Sequence, residues 1–281
     1  MDRILVLGST GMLGEPVVNH LLKNGYSVQV LVRDKEKAQS MFGDRVDYLV
    51  GDILSIDNLE KALAGCDAVH ISVGGPNDPI ATKHVLEIGK KSGVKHITYI
   101  SGSTVCEKNS WFPMIKEKLD AEKMIKASGI PYVIFRPTWP FEQLPRFVRD
   151  GRATVFGKQP AFIHWYARED LGRMIAASFN CEKCSGKTLF IHGPEALTMQ
   201  EAMERYIKHV HPEITSVSSM PIWILKLIAI MTRNSMLKYV ANLMRYFNKV
   251  LELGDGKEAN DLLGAPETTL DMWIKQRNIE K

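Results

Sequence analysis

Along the first 135 residues, apolar positions gather in short runs at 4–7, 28–32, 46–50, 68–73, 97–100 and 132–135. The runs are rich in Val and Ile and do not alternate with polar residues. A strand with one wet face alternates, whereas a run that is apolar at every position has to be covered on both faces, as in a parallel sheet. Between the runs lie segments that predict helices, at 13–23, 35–41, 56–64, 80–91 and 114–127. Gly25, Gly65, Gly93 and Gly129 follow four of these as helix stops. Right-handed crossovers turn such an alternation into a doubly wound parallel α/β sheet.

After Pro137 the rhythm changes. Residues 138–165 are loop-rich, with Pro140, Pro145, Gly151, Gly157 and Pro160. A helix over 167–179 and a strand over 188–191 follow, then helical segments at 199–209, 222–231, 237–251 and 271–275. No linker separates the two parts. Residues 138–281 are therefore expected to form a smaller, mostly helical lobe interleaved with a core built from 1–137, not an independent domain.

Composition narrows this picture in a few places. At 281 residues, 45% hydrophobic and 24% charged, the chain matches the globular average, which excludes disorder and a fibrous repeat. The formal net charge of +4 matters once located. The segment 220–253 carries Lys226, Arg233, Lys238, Arg245 and Lys249 against Glu252 alone, and the rest of the chain is balanced. No general affinity for nucleic acid is expected. In that basic segment, Leu237, Val240, Leu243, Met244, Phe247 and Val250 repeat at amphipathic spacing. Three roles fit: core cover for the second lobe, a lid over an apolar substrate, or a membrane-surface or protein contact. The longest apolar run, 220–231, is too short to span a bilayer.

Met1-Asp2-Arg3 leads directly into the first apolar run, so no signal peptide is expected. Four cysteines do not make a disulfide framework, and Cys181 and Cys184 form C-x-x-C with no second pair. Reduced surface thiols in a cytoplasmic compartment are the expectation. His209 and His211 lack a completing cluster, and no metal site is expected. Nothing in the sequence specifies an oligomeric state.

The chemistry concentrates at the ends of the predicted strands. Gly8-Ser9-Thr10-Gly11-Met12-Leu13-Gly14 sits between the first strand and the first helix. That is the context of a dinucleotide-binding turn, in which Gly8 permits the bend, Gly11 admits a pyrophosphate and Gly14 lets helix and strand pack closely. The helix N-terminus then offers amides and partial positive charge to phosphates. The second strand ends in Arg33, which suits a 2′-phosphate and so NADP(H) over NAD(H), although Asp34 beside it suits a 2′-hydroxyl. Asp52 and Ile53 follow the third strand, where they either meet an adenine or cap the next turn. Val73 and Gly74 close the fourth strand beside the nicotinamide ribose, and Ser101 closes the fifth, positioned to hold a substrate carbonyl or merely to end its strand. His164 and Tyr166 are weaker candidates for substrate contact, and Asp170 is expected to cap or anchor its helix.

Together these residues resemble the atypical short-chain dehydrogenase/reductase superfamily, in particular its NmrA-like and isoflavone-reductase-like branches. The matching stretches are G-S-T-G-M-L-G at 8–14, V-R-D-K-E-K-A at 32–38, G-D-I-L-S at 51–55, K-L-D-A-E at 118–122, S-G-I-P-Y at 128–132 and F-R-P at 135–137. The resemblance implies a Rossmann fold, NADP(H) binding and, in many members, a Tyr-x-x-x-Lys pair. Lys118 aligns with that lysine, but Met114 stands where the tyrosine belongs. A thioether cannot relay a proton. The resemblance thus implies one of two things. The first is a reductase without the tyrosine, in which Lys118 holds the ribose and Ser101 the apolar small-molecule substrate. The second is a non-catalytic NADP(H)-binding sensor, regulator or assembly subunit.

Overall fold

The computed structural model describes residues 1–279. It divides into two compact units, and the chain alternates between them. The first comprises Met1–Pro137, Arg168–Ile191 and Gly254–Ala265; the second comprises Thr138–Ala167, His192–Leu253 and Pro266–Lys281.

The first unit is a doubly wound α/β sheet. Its strands are β1 (Arg3–Leu7), β2 (Ser27–Val32), β3 (Asp47–Val50), β4 (Ala68–Ile71), β5 (His96–Ile100), β6 (Tyr132–Pro137) and β10 (Lys187–Ile191). All pair in parallel, in the order β10-β6-β5-β4-β1-β2-β3. The crossover helices are α1 (Gly14–Lys23), α2 (Lys35–Phe42), α3 (Ile56–Leu63), α4 (Asp78–Ser92), α5 (Pro113–Ala127) and α6 (Arg168–Ser178), with α10 (Lys257–Leu263) added late in the chain. Every residue of β4 and β5 is buried, including the polar His70, His96 and Thr98 that interrupt the apolar runs. One face of the sheet is covered by Leu59, Leu63, Val85, Leu86, Ala121 and Ile125 from α3, α4 and α5. Against α1 lies α6, so closely that a Cβ on Gly172 would stand 2.6 Å from that of Pro16. Arg168 Nη1 donates to Glu15 Oε2 at 2.8 Å across the same pair of helices. The expected strand 188–191 and helix 167–179 thus complete this sheet, although they follow Pro137 in sequence.

The second unit is mostly helical but also holds short strands that the hydrophobic pattern does not show. They are β7 (Val148–Arg149), β8 (Arg152–Phe156), β9 (Ile163–Trp165), β11 (Glu195–Leu197) and β12 (Val217–Met220). β12-β8-β7 form one small sheet and β11-β9 another. The helices are α7 (Met199–Val210), α8 (Ile222–Met231), α9 (Ser235–Phe247) and α11 (Leu270–Ile279). Thr198 and Glu201 close a capping box at the start of α7. Phe141, Trp165, Tyr206 and Trp273 form an aromatic core, in which Phe141 and Trp165 stack with planes 4° apart. The indole N–H of Trp165 reaches Leu197 O, and that of Trp273 reaches Glu142 Oε1. Tyr166, a candidate for substrate contact from sequence, is fully buried in this unit, and burial pushes its hydroxyl well above the ordinary tyrosine range.

The basic apolar segment forms the α8–α9 pair. Leu225, Ala229, Ala241, Met244 and Tyr246 are buried, which makes it core cover for its own unit. Trp223, Leu227, Ile230, Met231, Met236 and Tyr239 remain exposed. Among the described residues no helix is long and apolar enough to cross a membrane. Cys181 and Cys184 correct the expectation of reduced thiols: they are joined as a disulfide, because the single turn Glu182–Cys184 brings their Cα atoms to 5.3 Å.

Candidate functional site

In the first unit the chain builds outward from β1 through β2 to β3, then returns to β4 on the other side of β1. The carboxyl ends of β1 and β4 therefore diverge into different loops, and a crevice opens between them. There a cavity of about 420 Å³ is lined by Gly8, Ser9, Thr10, Gly11, Arg33, Asp52, Ile53, Val73 and Gly74, the residues singled out from sequence, together with Leu31, Val32, Lys37, Gly51, Ser72 and Asn77.

The glycine turn has the tight geometry that its spacing demands. Gly8 has φ +82°, and a Cβ there would meet Ser72 O at 2.2 Å. A Cβ on Gly14 would stand 2.1 Å from Gly8 O. Gly14 is thus a packing residue behind the cavity, and Met12 and Leu13 serve the start of the helix without lining the cavity. No side chain caps α1 at Leu13. The Ser9 hydroxyl is buried with no hydrogen-bond partner, an uncompensated group at the wall of the cavity. Uncapped helix amides, an unpartnered hydroxyl and a backbone cradle are the features that phosphate oxygens satisfy, so the turn fits a dinucleotide.

The remaining lining residues have local partners as follows. The Asp34 carboxylate accepts the Lys37 amide at 2.9 Å as the N-cap of α2, while Arg33 and Lys37 border the cavity. Ser55, not Asp52, is the N-cap of α3. Asp52 instead accepts the Leu54 amide at 2.9 Å and stays exposed at the cavity edge.

Lys118 and Ser101 both engage protein partners. Lys118 Nζ pairs with buried Asp78 at 2.6 Å and donates to Val73 O at 3.0 Å and Ile100 O at 2.7 Å. An ammonium has three donors, and these three acceptors engage them. Lys118 therefore ties together the ends of β4 and β5, and it does not line the cavity. Beneath it lies the Tyr99 ring, 4.7 Å from Nζ, with its hydroxyl on Asp78 Oδ2. Burial, then Asp78, holds that hydroxyl well above the ordinary range. Ser101 is nearly buried, and its hydroxyl donates to Glu122 Oε1 at 2.6 Å. Glu122 also receives a two-pronged contact from Arg136, at 2.8 and 2.6 Å. Burial pushes Glu122 up, but Arg136 and Ser101 outweigh it and leave the carboxyl below its ordinary value.

Sequence reasoning missed Lys37, Ser72 and Asn77 in the cavity wall. Lys37 had a legible signal, four residues after Arg33 and so one helical turn along. Ser72 and Asn77 had none, because only the return to β4 brings them to the turn.

A family profile described as NAD(P)H-binding matches residues 8–182. The divinyl chlorophyllide a 8-vinyl-reductase of Arabidopsis thaliana is 32% identical over 239 residues, covering 73% of this chain and 57% of that protein. The chain therefore spans less than two thirds of that reductase. The photosystem II assembly factor Ycf39 of Trieres chinensis is 24% identical, covering 80% of this chain and 74% of that protein. Among solved structures, Citrobacter sp. triphenylmethane reductase complexed with NADP(H) superposes with a TM-score of 0.79 at 22% identity, covering 97% of this chain and 99% of that one. That is a likeness of fold.

Proposed function

From the premise that this chain belongs to the NAD(P)H-binding family, we propose that it binds NADP(H) in preference to NAD(H) and acts as a reductase on an apolar small molecule. The observation that carries the cofactor preference is the pair Arg33 and Lys37 at the cavity edge, with the Asp34 carboxylate turned away into its helix cap. A 2′-phosphate needs cations there, whereas a 2′-hydroxyl needs an acceptor. Ser9, Thr10, Gly11 and the first-turn amides of α1 would hold the pyrophosphate, Ile53 and Asp52 the adenine side, and Val73 and Gly74 the nicotinamide side. The bound cofactor supplies the hydride. Lys118 works as a positioning residue: by fixing Val73 and Ile100 it sets the floor beneath the ribose. The apolar substrate class is supported by the relative named as a divinyl chlorophyllide a 8-vinyl-reductase.

A second reading has a specific observation behind it. With Met114 at the tyrosine position and Ser101 committed to Glu122, neither supplies a proton to a carbonyl. A non-catalytic NADP(H)-binding regulator or assembly subunit accommodates that directly, and one relative is named as an assembly factor.

NADPH oxidation measured over enones, quinones and aldehydes separates the two. Turnover with any class supports the reductase, and tight NADPH binding with no turnover on all three refutes it. Arg33→Ala is expected to weaken NADPH binding roughly 10–100-fold, since a hydrogen bond to a charged group contributes about 1.5–3 kcal/mol, and to leave NADH binding unchanged. Equal losses for both cofactors would refute the 2′-phosphate assignment.

A further inference from the structure

Within the second unit, three chemistry-bearing side chains from distant parts of the chain converge. His164 lies in β9, His192 lies 28 residues later, three residues before β11, the strand that pairs with β9, and Glu252 lies beyond α9. One ligand atom from each falls within 4.8 Å of the other two. The two imidazole rings stack with centroids 4.7 Å apart. His164 Nδ1 contacts Glu252 Oε1, and His192 Nδ1 stands 3.9 Å from the same oxygen.

The surroundings organise these groups. His192 Nε2 faces Leu253 O at 3.3 Å, so its proton belongs on Nε2 and its Nδ1 lone pair turns toward the cluster. An outer hydrogen bond from the second ring nitrogen to a backbone carbonyl is how metal-ligating histidines are commonly oriented. The Glu252 carboxylate accepts the backbone N–H of His164 at 3.3 Å. Gly193 locks the two histidines in register: its amide donates to His164 O at 3.1 Å, and a Cβ there would sit 1.5 Å from Trp165 O. His192 and Glu252 are mostly buried at 10% and 14% side-chain exposure, whereas His164 is 41% exposed, which leaves one side of the cluster open to solvent.

We propose that His164, His192 and Glu252 form a binding site for a divalent transition-metal ion of the zinc class. Two neutral imidazoles and one carboxylate are a complete donor set for a tetrahedral ion that keeps a fourth position for water or another ligand. Ligand atoms around zinc stand about 3.3 Å apart, from bonds of roughly 2.0–2.1 Å. On binding, the widest separation closes by about 1.5 Å and the His164–Glu252 contact opens as the ion replaces the proton between them, within the reach of side-chain rotation at the exposed His164. No sequence motif announces the site, because its ligands are 28 and 60 residues apart.

The test is titration of the chelator-stripped full chain with zinc alone, followed by calorimetry. One ion per chain is expected. His164→Gln, His192→Gln and Glu252→Gln should each weaken binding by more than the roughly 10–100-fold typical of outer-shell partners. His211→Gln, in the exposed His211–Glu213 pair, should leave it unchanged. Absence of binding, binding by the three site variants equal to that of the wild type, or loss in His211→Gln overturns the proposal. X-ray absorption on the zinc-loaded wild type decides the matter even where a variant fails to fold. Two imidazoles in the first shell support the site, and a shell with sulfur or without imidazole overturns it.

Discussion

Acidification should destabilise this protein through two histidines in the sheet interior. His70 on β4 is fully buried, with Nδ1 2.8 Å from Thr98 Oγ1, and His96 on β5 is 5% exposed. Burial pushes His70 down to about 3 and His96 down to about 4, from an ordinary 6.5. The unfolded chain takes up protons at both positions near 6.5, while the folded chain refuses them. Stability is therefore present above 6.5 and is lost as pH falls from 6.5 toward each folded value. Each pH unit in that window costs about 1.4 kcal/mol per histidine. Between about pH 7 and pH 5 the loss is about 2 kcal/mol from each, about 4 together, a large share of a typical stability of roughly 5–15 kcal/mol. Urea denaturation across this range measures it directly. His70→Gln keeps an amide for Thr98 but cannot titrate, so it should lose only about 2 kcal/mol over the same interval. An unchanged pH slope in that variant, or ring resonances of His70 titrating near 6.5 in the folded protein, would refute the reasoning.

Three further outcomes follow from packing and charge. Gly14→Ala places a Cβ against Gly8 O and must displace the turn, so NADPH binding measured by fluorescence should fall by at least about tenfold. Glu122→Gln leaves the Arg136 guanidinium without its counter-charge and should cost about 3–5 kcal/mol in a denaturation experiment. In the wild type, the Glu122 contribution is present above its ordinary 4.5 and fades as pH falls through its lower folded value. Lys118→Leu strands buried Asp78 at a similar cost, and the double variant Lys118→Leu/Asp78→Leu should recover part of it in a double-mutant cycle.

The first six strands were legible to within about two residues because a parallel strand buried on both faces leaves a mostly apolar run without regular alternation. The cavity wall was legible wherever one loop carries it: Gly8 through Gly11, Arg33, Asp52, Ile53, Val73 and Gly74. What stayed hidden depends on partners distant in sequence. β8 and β12 are short and pair with each other 64 residues apart, so neither shows a pattern alone. Ser101 was legible as a strand end and Lys118 as a position on α5, but their partners were not, because Asp78 reaches Lys118 from α4 and Glu122 reaches Ser101 from α5. The Cys181–Cys184 disulfide depends on a turn geometry that the C-x-x-C spacing allows without requiring.

The alternation of the chain between two units constrains how this protein can change. Each unit is assembled from three separated stretches, and the edge strand β10 of the nucleotide-binding sheet is encoded after a long excursion into the other unit. No single cut in the chain releases either unit whole. A breakpoint at 137/138 divides the first core and one at 265/266 the second, while a breakpoint at any of the three crossings between them divides both cores at once. The two units are accordingly encoded as one interleaved piece, and neither can be exchanged for another as a single contiguous segment.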